Sequence, residues 1–219
     1  MNNTKNLFKK EWNLSILHSP FIFIYALLVL TLLIPEYPYF VAFGYCLIGI
    51  PTLFAFSKSN KDIEFTSILP IKRADVVKSR FIVVVFIEIM QLILAIPFAI
   101  ISTLLINPQG NIVGLDANIS LFATTLIEFA VFNSIFLPIF FKTGYKIAPA
   151  TTFAFVGYLL TTLILELLIA LIPTLNILFD GTIYWGAQLA LLGFGILVYI
   201  LTLVLSFKKA VKNFEKVNL

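Results

Sequence analysis

The chain is written in long apolar blocks separated by short polar ones. Six blocks are long enough to cross a bilayer, which needs about 20 consecutive apolar residues in helical form. They cover about 17–34, 39–56, 77–106, 117–141, 147–172 and 184–206. Within each block the apolar residues run on without alternating, so a membrane β-barrel is excluded. The third block is longer than a bilayer requires and contains Pro97. Tilt, a kink at the proline or an extension beyond the membrane would absorb the excess. Between the fifth and sixth blocks, the piece from Pro173 to Trp185 is apolar but broken by Pro173, Asp180 and Gly181. It reads as a short re-entrant or interfacial segment.

Ahead of the first block the period changes. Phe8, Trp12 and Ile16 recur every four residues, with Lys5, Lys9 and Lys10 elsewhere. That spacing gives one apolar stripe and suits a helix lying in the membrane interface. No small-residue cleavage site follows the first apolar block, so it reads as an uncleaved span. The fold class is an all-α integral membrane protein with six transmembrane helices, an N-terminal interfacial helix and a polar hairpin at 57–76. The whole of 1–219 is read as a single transmembrane domain with no internal repeat.

Composition agrees. Of the 219 residues 60% are hydrophobic and 12% charged, against about 45–50% and about 25% in soluble domains. Charge position adds more than charge total. All 15 Lys and Arg fall before the first block, around the second polar segment, between the fourth and fifth blocks, or after the sixth. The alternate loops hold none and carry Glu36, Asp116 and Asp180. Basic residues mark the cytoplasmic side, so a multi-pass protein with both termini cytoplasmic is expected.

Catalytic chemistry is thinly represented. Cys46 and His18 are each the only residue of their type, so neither a disulfide nor a histidine metal site is expected. No nucleophile–base constellation is evident. Three carboxylates fall inside apolar blocks: Glu88, Glu128 and Glu166. Such residues cost a few kcal/mol on insertion scales and face a bundle interior or a cavity. Glu88 and Gln91 share one helical side; Tyr158, Thr162 and Glu166 lie near one stripe. Two readings stand side by side. These residues line a translocation path, or they are protonated carboxyls bonded between helices. The 23 phenylalanines suit a lipid-facing surface or an apolar path.

The segment from Phe56 to Phe81 holds six basic residues amid apolar ones. Ser59 or Asn60 can cap a short helix with Asp62 in its first turn, and Pro70 ends it. A second helix is expected to start near 72–74 and run straight into the third span. Docking of a partner explains Ile63, Phe65 and Ile68 amid the charges better than orientation alone does.

The order here is an acidic short helix, Leu69-Pro70, a basic Arg73, then Val76-Val77-Lys78-Ser79-Arg80 leading into a span. It resembles the permease subunits of type-2 ATP-binding cassette exporters, and is most similar to small bacterial permeases that export phenol-soluble modulins and related amphipathic peptides. The family usually places a small hydroxyl residue where Lys72 stands. The resemblance implies a non-catalytic subunit in the bacterial plasma membrane, working by alternating access in a dimer with a second copy or a paralogue. It implies two copies of a cytoplasmic ATPase carrying ATP and Mg, and a role in antimicrobial peptide resistance. Asn60, Asp62, Ile63, Glu64, Phe65, Ile68, Leu69, Pro70 and Arg73 would form the coupling surface. No Gly-Lys pair occurs in the sequence, so a phosphate-cradling Walker loop is absent and ATP hydrolysis is expected on another polypeptide. Membrane lipid and a peptide substrate are the other expected partners, and no nucleic acid is. A proton-coupled carrier using the three carboxylates, or a non-transporting immunity or sensor subunit, are the alternatives.

Overall fold

The computed structural model describes residues 3–11, 20–34, 37–59, 66, 70–111, 113–144, 146–181 and 183–217. Within them lie eight helices and no strand: α1 Asn3–Glu11, α2 Pro20–Leu33, α3 Phe40–Ser59, α4 Arg73–Ile101, α5 Ile119–Lys142, α6 Ile147–Leu171, α7 Pro173–Phe179 and α8 Trp185–Glu215. A π-helical turn, Ser102–Ile106, extends α4. Five helices are long and apolar enough to cross a membrane: α3, α4 with its extension, α5, α6 and α8. Helix α2 is apolar but shorter, and residues 12–19 at the start of the expected first span lie outside the described ones.

The long third block resolves at both ends. Helix α4 starts at Arg73, Pro97 lies inside it, and the winding loosens only at Ser102. With its extension it has 34 residues, or about 51 Å at 1.5 Å per residue. That exceeds a hydrocarbon core of about 30 Å. The excess is taken up by a helical extension at the basic end, where Pro70 and Ile71 precede the helix. Helix α8 is likewise long, with 31 residues. The broken piece after α6 forms the short helix α7, with Pro173 at its first turn.

Helices α5 and α8 run parallel and in register. Gly195 faces the Ala123 backbone so closely that a Cβ there would lie 2.7 Å from the Ala123 carbonyl oxygen. Further along, Ser206 Oγ donates to Asn133 O at 3.0 Å, and Asn213 Nδ2 donates to Pro138 O at 2.9 Å. A glycine is needed where two helix backbones approach this closely.

Many of the phenylalanines lie in the core, while Phe56, Phe153 and Phe194 are exposed as a lipid-facing surface would have them. Phe54 of α3 meets Phe136 and Phe140 of α5 edge-on at 5.3 and 4.6 Å, and Phe132, Phe136 and Phe140 stack along α5 at four-residue intervals. All four are buried. Edge-to-face aromatic pairs hold helices together without needing water to drive them. The lipid-exposed surface is mostly leucine, isoleucine and valine on α4, α6 and α8.

Candidate functional site

Three polar levels join the bundle, one at mid-depth and one at each end. At mid-depth Glu88 of α4 is fully buried. Asn133 Nδ2 of α5 donates to its two carboxylate oxygens at 2.9 and 3.0 Å, and Tyr199 OH of α8 donates at 2.6 Å. Three helices therefore meet on one carboxyl group. One turn further along α4, Gln91 Nε2 donates to Ala42 O of α3 at 3.2 Å. A second carboxyl, Glu128 of α5, is 2% exposed and accepts from Thr162 Oγ1 of α6 at 2.9 Å. Its other oxygen has no hydrogen-bond partner among the described residues. Tyr158 OH, one turn from Thr162, donates to Phe40 O of α3 at 3.0 Å. Glu88, Gln91, Glu128, Tyr158 and Thr162 thus face other helices of the same chain, in two groups.

Glu166, one turn beyond Thr162 toward the acidic end of α6, bonds to neither group. Its carboxylate accepts from Leu115 N at 3.2 Å, and a Cβ on Gly114 (φ +98) would sit 2.9 Å from it. The same end holds a reciprocal pair. Asp116 Oδ2 accepts from Gly181 N at 3.0 Å, and Asp180 Oδ1 accepts from Asp116 N at 3.0 Å. Asn118 caps α5 by accepting from Ser120 N and Leu121 N, while its amide donates to Phe179 O and Gly181 O. Burial pushes the Asp180 carboxyl above the ordinary aspartate range, against the Asp116 backbone bond that favours its charged form. Beside this end lies a polar cavity of about 200 Å³ bordered by Tyr39, Ser102, Asn107 and Asp116.

The basic end gathers the residues of the hairpin that are described. Pro70 is exposed, and Arg73 stands in the first turn of α4. Arg73 Nη1 donates to the carbonyls of Phe214, Glu215 and Val217 at 2.7, 3.0 and 2.9 Å. Thr66, a buried position, accepts from Lys10 Nζ of α1 at 3.0 Å. Phe8 of α1 is half-buried against Phe86 of α4, centroids 6.3 Å apart. Asn60, Asp62, Ile63, Glu64, Phe65, Ile68 and Leu69 lie outside the described residues, as do Trp12 and Ile16.

Between α4, α5 and α8 an apolar groove of about 600 Å³ opens on the flank of the bundle. Ile93, Ile96 and Leu104 form one wall, and Phe122, Leu126 and Leu192 the other. It begins at Ile89, one residue past the Glu88 junction, and extends toward Asn118 and Gln188.

Sequence reasoning missed Asn133 and Tyr199, the partners of Glu88. A signal was present: each is a polar side chain inside an apolar block, and such groups need a partner in a bilayer. Ser57, which accepts from Arg80 Nη1 at 2.8 Å, carried no pattern that would single it out.

Five bilayer-length helices and carboxyls buried between them define a multi-pass membrane protein. The chain belongs to the ABC-2 family transporter proteins, whose family model matches residues 6–215. No curated protein and no solved structure matches it. It is therefore a permease component of an ATP-binding cassette transporter, a membrane transport subunit that works with an ATPase partner.

Proposed function

We propose that this permease exports amphipathic, cytotoxic peptides of the phenol-soluble modulin kind, by alternating access driven by a separate ATPase. Its basic end faces the cytoplasm of a bacterial cell, with both termini there. Residues 17–34 form a sixth span, and residues 60–69 form a coupling helix seated on the ATPase. Two permeases, identical or paralogous, pair with two ATPase copies that hold ATP and Mg.

The observation that carries this reading is the continuity of α4. It emerges at Arg73, directly after the charged hairpin, and continues without a break to Ile101. A force that reaches Arg73 is delivered to a helix of bilayer length with no break before Ile101. The apolar groove beside α4 supports an amphipathic substrate, because an apolar stripe of a helical peptide fits a lipid-facing apolar trough. Glu88, Gln91, Glu128, Tyr158, Thr162 and Glu166 are path candidates that would have to part from their present partners during transport.

The test is reconstitution with the partner ATPase in vesicles loaded with a fluorescent amphipathic peptide. Efflux that needs ATP supports the reading. Efflux that follows a proton gradient without ATP would replace it with the proton-coupled carrier. An ATPase that binds and turns over while no peptide moves would leave the permease and remove the substrate.

A further inference from the structure

Helices α4 and α8 both outrun the bilayer, by roughly 20 Å and 15 Å at helical rise, and their overhangs meet at the basic end. A helix terminus leaves its last four carbonyls without intrahelical partners, and they carry the negative end of the helix dipole. The last turn of α8 finds its partner in another helix. The Arg73 guanidinium reaches the carbonyls of Phe214, Glu215 and Val217, and it also lies 5.4 Å from the Phe214 ring centroid. Phe214 in turn packs on Phe141 at the end of α5, centroids 5.4 Å apart. Two turns up, Phe81 of α4 meets Phe207 of α8 edge-on at 5.4 Å. The next junction between these helices is the Glu88 carboxyl with Tyr199.

The geometry points to Arg73 as a positioning residue that locks the start of α4 to the end of α8, so that motion of the hairpin is passed to both helices together. The locking stands on the contacts alone; the transmission rests on the exporter reading given above. Arginine suits the task better than lysine, because Nη1 can reach the carbonyls while the guanidinium plane lies over the Phe214 ring. The resemblance to the exporter family places Arg73 on the ATPase surface, whereas here its side chain is turned inward to the tail.

Hydrogen exchange on the purified permease, without ATPase, tests the lock. Arg73→Gln should speed amide exchange across residues 211–217 about tenfold or more, with exchange around Asn133 unchanged. Arg73→Lys should fall between that variant and the wild type. Unchanged exchange in the tail overturns the proposal. In the reconstituted complex, Arg73→Gln should lower peptide exported per ATP hydrolysed several-fold while ATPase affinity is kept. A loss of ATPase affinity with a normal export ratio would place Arg73 on the docking surface and overturn the transmission. If the wild type binds no ATPase, the exporter reading and the transmission fall, and the exchange result still decides the lock. Should Arg73→Gln fail to fold, Phe214→Leu removes the ring beneath the guanidinium and is expected to speed tail exchange in the same direction.

Discussion

Replacing Tyr199 with phenylalanine removes a single hydroxyl and leaves the ring that packs the α8 face. The lost bond, 2.6 Å to Glu88 Oε2, joins two helices at mid-depth. Interhelical hydrogen bonds in membranes average about 0.6 kcal/mol and reach about 1.7, and a short bond to a carboxyl belongs near the top of that range. Glu88 keeps its Asn133 partner in this variant, so a loss of about 1–1.5 kcal/mol is expected. Glu88→Ala is a harsher change. It leaves Tyr199 OH and Asn133 Nδ2 buried without their acceptor, at about 1–3 kcal/mol each, and the loss should be about 3–5 kcal/mol once the vacated space is included. Glu88→Gln should be mild, within about 1 kcal/mol. Its amide retains an oxygen for Tyr199, and its NH2 can donate to Asn133 Oδ1, which has no partner among the described residues. Unfolding of the purified permease in detergent, followed by loss of helical signal, should rank the variants Glu88→Ala, Tyr199→Phe, Glu88→Gln from most to least damaged. Glu88→Gln falling as far as Glu88→Ala, or Tyr199→Phe changing nothing, would refute the three-helix junction.

Other predictions bear on other parts of the molecule. Gly195→Ala should cost about 1–3 kcal/mol by overpacking, since its methyl would meet the Ala123 backbone at 2.7 Å; a normal melting temperature would mean α5 and α8 are not in close contact. Asp180→Asn should keep or raise stability at neutral pH, because it removes a half-buried charge while its oxygen can still accept from Asp116 N, whereas Asp180→Ala should lower it. With the Asp180 carboxyl raised above its ordinary value of 3.8 by burial, its contribution is full below that value and is lost as pH rises through the folded pKa. A wild-type stability profile that does not differ from that of Asp180→Asn over this range would contradict the assignment. Glu128→Gln and Glu166→Gln should alter peptide export while assembly and ATP hydrolysis persist; unchanged export in both removes them from the path.

How far the sequence could be read depends on the length scale of each signal. The start of α4 was legible because Pro70 blocks a continuous helix and the residues after it do not. The end of α5 and the start of α6 were legible because Lys142 and Lys146 interrupt an otherwise apolar stretch. Helix α8 extends to Glu215, beyond the apolar block that ends near 206, because hydropathy stops where the helix leaves the lipid while the helical propensity of Lys and Ala does not. The phenylalanine core was illegible: α5 is apolar all round, so periodicity cannot say which side faces lipid and which faces α3. Glu88 was visible as a buried charge, but its partners lie 45 and 111 residues away, and no local pattern encodes that distance. The inward turn of Arg73 was hidden for the same reason, since its acceptors are backbone carbonyls at the far end of the chain.

On the proposed reading, work enters this permease through the charged hairpin and the helix that leaves it. Its most direct test is site-specific photo-crosslinking from Asp62, Phe65 and Ile68 in the intact transporter. Crosslinks to the ATPase subunit are expected, with a pattern that shifts between nucleotide-free and ATP-bound states. Crosslinks to lipid or to an extracellular reagent, with no ATPase adduct in an actively exporting complex, would contradict it.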